Sequence, residues 1–234
     1  MTSTTRMLVA AALAAGLLGA AAVSLARAAG GPDALPLSGT ARVIDGDTIE
    51  LGGTHIRLEG IDAPESSQTC PLRETGSWPC GTAATGALAR MIERRTLTCQ
   101  PQGLDKYGRT LAICFVDGVD INAAMVRLGL AWAFVRYSSR YVREENAARS
   151  EHAGIWQADA MPAWEFRHHR WATAEQAAPA GCAIKGNVTK HGRIYHMPWS
   201  PWYAQIKMDP SKGKRWFCSE AEAVAAGWRP AHTY

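Results

Sequence analysis

No Cys-x-x-Cys pair occurs in the 234 residues, although there are six cysteines. The tight knuckle spacing of a thiolate metal site is therefore missing. No segment repeats, so solenoid and propeller architectures are excluded. A strong charge of one sign is also lacking, since 25 Lys and Arg stand against 21 Asp and Glu for a formal net of +4. Charge is absent altogether from residues 7–26, an apolar run that follows Arg6 and leads into Ala26-Arg27-Ala28. That pattern predicts a secretory signal over residues 1–28 with cleavage near Ala28, and export to the periplasm or medium. An uncleaved segment of this length would instead anchor the chain in a membrane.

The even cysteine count fits an oxidising compartment. Cys70 with Cys80 brackets one loop, Cys99 with Cys114 faces across a hairpin, and Cys182 with Cys218 closes the C-terminal part. Six cysteines allow fifteen connectivities, and zinc on Cys182 and Cys218 with His196 and either His191 or His232 is the alternative for the last pair. Each unstrained bridge is worth about 3 kcal/mol. Residues 38–160 carry 13 basic against 15 acidic side chains, a net of −2, whereas residues 161–234 carry 10 against 5, a net of +5. Attraction for a polyanion therefore belongs mainly to the tail, and the carboxylates of the first part are better explained by a cation they surround.

Those carboxylates fall in three clusters: Asp45-Gly46-Asp47-Thr48, RLEGIDAPE (57–65) and Asp105-Lys106-Tyr107-Gly108-Arg109. Hard cations take oxygen ligands and a guanidinium fork fits phosphate, so the mixture points to metal-assisted chemistry on a phosphoester. The first cluster is not an EF-hand, because the later ligands are missing. Residues 29–37 read as a linker. Residues 40–45, 47–51 and 54–59 read as a three-stranded meander, a helix is predicted over 82–95, and strands are predicted over 95–100 and 109–116. A short helix over 122–128 capped by Asn122 and a longer one within 139–152 follow. This order predicts a mainly β fold with α, a five-stranded Greek-key OB barrel with appended helices over residues 38–160. Residues 162–171 are expected to form a docking helix and 172–180 a linker. Residues 181–234 form a small α+β module, with a helix capped by Ser219, and Trp199, Trp202 and Tyr203 are expected to be exposed there.

VIDGDT (43–48), RLEGIDAPE (57–65), DKYGR (105–109), NAAMVRLGLA (122–131) and GIW (154–156) together resemble the staphylococcal nuclease (thermonuclease) family over roughly residues 38–160. The resemblance implies a calcium-dependent phosphodiesterase that cuts DNA and RNA and leaves 3′-phosphate and 5′-hydroxyl ends. Asp47 and Asp62 would then bind calcium with the carbonyl of Ala63, and Asp45 would sit beside them. Glu65 would activate water, Arg57 and Arg109 would hold the scissile phosphate, and Lys106 and Tyr107 would contact a neighbouring one. The chain departs from the pattern at Ala63, where some relatives carry Thr, and in the Cys-bracketed insert SSQTCPLRETGSWPC (66–80). It departs again at Phe134, which stands where a nucleotide-contacting Tyr is expected and keeps only base stacking. The segments GCAIKGNV (181–188), GRIYHMP (192–198) and RWFCSEAEAVAAGWRPA (215–231) resemble a small accessory module of bacterial exported nucleases. Its basic charge would tether nucleic acid or an anionic envelope polymer. The rival to a monomeric nuclease is a catalytically weak OB-fold protein that binds nucleic acid or another polyanion at the envelope.

Overall fold

A computed structural model describes residues 34–231. The expected signal and the start of the expected linker lie outside them. Short strands β1 (Leu37–Gly39) and β2 (Ala41–Val43) are two halves of one bent segment. The meander continues through β3 (Thr48–Leu51) and β4 (Thr54–Leu58), turning on Gly52 and Gly53, both at positive φ. Ile56 and Leu58 face inward and Arg57 faces the other side, as period-two alternation requires. After the two-residue β5 (Ile61–Asp62) comes the insert, with its own hairpin of β6 (Cys70–Pro71) and β7 (Ser77–Trp78). Helix α1 (Cys80–Ile92) then lays Ala84, Ala87, Leu88 and Ile92 on the barrel. Full burial of Leu88 alone contributes about 2 kcal/mol.

Strands β8 (Leu97–Leu104) and β9 (Thr110–Val116) complete the barrel. The strand order β1-β8-β9-β4-β3-β2, with β4 parallel to β9, closes through the bent first segment. That is the five-stranded OB topology. Cys99 and Cys114 lie opposite each other in the β8–β9 register and are bonded.

Strand β10 (Val119–Asp120) leads into α2 (Ile121–Arg127). The expected cap was Asn122, but Asp120 caps this helix, its Oδ1 accepting from the Ala123 amide at 2.9 Å. Asn122 is instead fully buried. It donates to the carbonyls of Glu59 and Ala112 at 2.9 and 3.1 Å and accepts from the Cys114 amide at 3.2 Å. Strand β11 (Trp132–Ala133) pairs with β5, and α3 (Val142–Ser150) follows. Glu145 and Arg149 form an i,i+4 ion pair on α3.

Helix α4 (Ala163–Ala177) runs through most of the stretch expected to be a linker, because residues 172–177 contain three alanines and no proline or glycine. Beyond it, the order β14-β12-β13-β15 builds a four-stranded sheet from β12 (Ile184–Thr189), β13 (Gly192–His196), β14 (Arg215–Phe217) and β15 (Arg229–Pro230). Helix α5 (Glu220–Ala225) covers it, with Ser219 Oγ accepting from the Glu222 amide. Ile184, Tyr195, Phe217, Ala223 and Trp228 form the module's core. Cys182 is bonded to Cys218, so the zinc alternative is set aside. Tyr203 is buried rather than exposed, its hydroxyl donating to the Ala183 carbonyl at 2.6 Å. No helix among the described residues is long and apolar enough to cross a membrane.

Replacing Asn122 by Leu removes three bonds to buried groups and is expected to destabilise the barrel by about 3 kcal/mol or more, read as a lowered denaturant midpoint. His196 is held down to about 4, by burial and then by the nearby Lys185 charge. Its neutral form is therefore built into the fold, and its contribution is complete above its ordinary 6.5 and lost as pH falls towards 4. The melting temperature of the wild type should drop more steeply over that window than that of His196→Gln.

Candidate active site

The hairpin register places Thr48 of β3 opposite Arg57 of β4. The Asp45–Asp47 turn at the start of β3 therefore lies beside the Arg57 side chain. Asp45 Oδ1 accepts from the Asp47 amide at 3.1 Å, and the Leu58 amide donates to the Asp47 carbonyl at 2.8 Å. Asp47 is 2 % exposed, and its Oδ2 accepts from the Ala63 amide at 2.7 Å. Gly46 is required here, because a Cβ on it would lie 2.7 Å from that of Ala63. Asp62 is completely buried, and β5 holds it opposite Trp132. One guanidinium, that of Arg57, reaches both acids: one terminal nitrogen bonds Asp47 and the other donates to Asp62 Oδ1 at 2.7 Å.

Two carboxylates converging on a single cationic group form a donor set that fits a hard divalent ion. Among the described residues no three carboxylate, imidazole or thiol side chains already stand as a metal cage. Guanidinium groups hold the acids in this structure. Burial raises the Asp45 carboxyl above its ordinary range, against the pull of Arg57. Glu65, at the start of the insert, is pushed up to about 7 by burial, opposed mainly by Arg167. Helix α1 starts hard against the Glu65 backbone, and a Cβ at Gly81 would sit 1.7 Å from the Glu65 carbonyl oxygen.

The third cluster is a turn organised by Asp105. Its Oδ1 accepts from the amides of Tyr107 and Arg109 at 2.8 and 2.9 Å, and its Oδ2 accepts from Arg109 Nε at 2.6 Å. Gly108 takes the positive φ the turn needs. Arg109 is thereby aimed, and although burial works against its charge, Asp105 together with Glu220 and Asp45 holds its pKa above the ordinary arginine value. Lys106 Nζ lies 4.8 Å from the centre of the Tyr107 ring. One face of the Phe134 ring is stacked on Trp164 of α4, with centroids 5.7 Å apart.

Asp45, Glu65, Tyr107 and Arg109 line one cleft of about 550 Å³. Its opposite wall comes from the C-terminal module and includes Tyr195, Trp199 and Trp228. Two groups at the site went unnoticed in the sequence. Arg167 reaches Asp62 and Glu65 from α4, and nothing in PAWEFRHHRW singles it out from its neighbours. Gln68 hides in the insert, where it reads as loop polarity but is 1 % exposed.

A family model described as staphylococcal nuclease homologue matches residues 55–158, and one described as ArfC matches residues 167–230. The "Uncharacterized endonuclease" of Escherichia coli O157:H7 is 36% identical over 137 residues, covering 55% of this chain and 83% of that protein. "Micrococcal nuclease" of Shigella flexneri is 31% identical over 144 residues, covering 54% and 77%. The "Succinoglycan biosynthesis protein ExoI" of Rhizobium meliloti is 37% identical over 126 residues, and the match spans 53% of this chain and 66% of that one.

Asp105→Ala is expected to release Arg109 and loosen its turn, lowering kcat/KM on a nucleic-acid substrate by about 10- to 100-fold. Asp105→Asn should lose less, because its side-chain oxygen still accepts from the turn amides. Steady-state kinetics of the two variants check the order.

Proposed function

We propose, for a chain that belongs to the staphylococcal nuclease homologue family and is a thermonuclease-like phosphodiester hydrolase, that it is an exported, calcium-dependent endonuclease. It cuts DNA and RNA and leaves 3′-phosphate and 5′-hydroxyl ends. The observation that carries the reading is the convergence of buried Asp47 and Asp62 on one cationic group beside a cleft lined by Glu65 and Arg109.

Asp47 and Asp62, with the Ala63 carbonyl and Asp45 alongside, would hold the calcium, which when bound supplies a Lewis acid for a phosphoryl oxygen. Glu65 takes a proton from the attacking water. Arg57 exchanges its two aspartates for the scissile phosphate, where its planar fork matches the equatorial oxygens better than an ammonium could. Arg109, aimed by Asp105, shares that charge, and the two stabilise the transition state more than the ground state because negative charge builds on those oxygens. Lys106 and Tyr107 meet the next phosphate along the strand. Phe134 offers a stacking surface already shared with Trp164.

Three disulfides support folding in an oxidising compartment, in keeping with export. The basic module, with its net of +5, draws the polyanion towards the cleft it walls, or tethers the protein to an anionic envelope polymer. The long-range pull and the chemistry thus reside in different parts of the chain.

Release of acid-soluble nucleotides by disulfide-intact protein tests the reading. Chelation should abolish it, and Arg57→Ala or Glu65→Gln should each lower kcat by about 10²-fold or more. Turnover indifferent both to chelator and to Glu65→Gln would overturn the mechanism. Tight binding of nucleic acid without any cleavage would favour the envelope-binding rival.

A further inference from the structure

The Arg167 guanidinium lies on two of the proposed site's carboxylates. Its Nη1 donates to Asp62 Oδ1 at 3.0 Å and to Glu65 Oε1 at 2.8 Å, and its Nη2 donates to Asp62 Oδ2 at 2.8 Å. Burial works against its charge, but Asp62 and Glu65 more than offset it, and its pKa lies above the ordinary arginine value. Such a fork fixes two carboxylates relative to each other, which an ammonium group cannot do in one plane.

The helix that carries it is itself fixed to the site. Gln68 Nε2 donates to the Met161 carbonyl at 2.7 Å, just before α4, and Gln68 Oε1 accepts from the Glu65 amide at 3.2 Å. Ala163, in the first turn of α4, is fully buried with Trp132, Ile155 and the Cys70–Cys80 bridge. One turn beyond Arg167, Arg170 Nε donates to the Pro198 carbonyl of the module at 3.3 Å. Arg167 therefore sits where the barrel, the insert and the module meet, beyond residue 158 where the nuclease-family match ends.

We propose that Arg167 is a positioning residue for the hydrolysis, a third arginine that the module-bearing helix supplies to hold Asp62 and Glu65 in their working geometry. It rests on the hydrolytic reading above. Arg57 has a phosphate to go to when substrate binds, whereas Arg167 is tied to the carboxylates by all three of its bonds at the site. It keeps Glu65 aimed during turnover. Its charge also competes with any cation that Asp62 receives, so the same contact weakens cation binding while it speeds the chemistry. Those opposite effects distinguish a positioning role from a structural one, which would weaken both.

The test compares full-length, disulfide-intact wild type with Arg167→Ala and Arg167→Lys by three readouts: steady-state cleavage, calorimetric titration with calcium alone, and thermal melting. For Arg167→Ala, kcat should fall by about 10- to 100-fold with KM within about twofold of wild type. Its calcium affinity without substrate should rise by about threefold or more, because two neighbouring carboxylates lose a counter-charge. Millimolar guanidinium ion should restore part of the Arg167→Ala rate, and Arg167→Lys should retain an intermediate rate. Wild-type kcat and calcium affinity in Arg167→Ala would overturn the proposal. So would a slower variant that binds calcium more weakly, melts lower and is not rescued by guanidinium. Wild type that neither binds calcium nor cleaves would overturn the hydrolytic reading and this proposal with it, a result distinct from either of those.

Discussion

Carboxylates taken out of water must find counter-charge, and this constraint organises the site. Asp62 is wholly buried, Asp47 nearly so, and Glu65 is largely covered. Bare, each would cost several kcal/mol or give up its charge. Two features of the fold answer that cost: the β3–β4 register brings in Arg57, and α4 delivers Arg167 to Asp62 and to Glu65, whose backbone packs against α1. Clustered carboxylates in this barrel thus keep their charge only with cations beside them, whether guanidinium or metal.

The same requirement links parts of the chain that differ in kind. Residues 66–80 form an insert pinned by the Cys70–Cys80 bridge, in which Gln68 joins the Glu65 backbone to the approach to α4 and Ser67 donates to the Trp199 carbonyl of the module at 2.5 Å. The module is therefore one wall of the cleft as well as a basic appendage. Its aromatic side chains face the Arg109 turn across about 550 Å³. A nucleic-acid strand entering there would meet the Arg109 turn and the module together, which would couple attraction to alignment.

Features set by short-range rules were legible in the sequence. Period-two alternation gave the meander and put Arg57 on the opposite side from Ile56 and Leu58, and the element order gave the OB barrel. Cys99 and Cys114 were readable as hairpin neighbours because both strands carry the right spacing. Burial decided the rest. Asp120 and Asn122 both suit a helix cap, and only the three-way contact with Glu59, Ala112 and Cys114 explains why Asn122 goes inside. Tyr203 looks like a surface ring until the Ala183 carbonyl is seen above it. Residues 172–180 combine the composition of a linker with the propensity of a helix, and packing of Ala174 and Trp171 against the module settled the choice. Arg167 was beyond reach, since its partners lie more than a hundred positions earlier and no local pattern records the meeting.

The most direct test of the central claim is a crystal structure of the protein with calcium and a non-hydrolysable dinucleotide. In that structure a calcium ion is expected between Asp47 and Asp62, with Arg57 moved from those carboxylates onto the phosphate. Arg57 still bridging both aspartates, with the ion or the phosphate bound elsewhere, would contradict it.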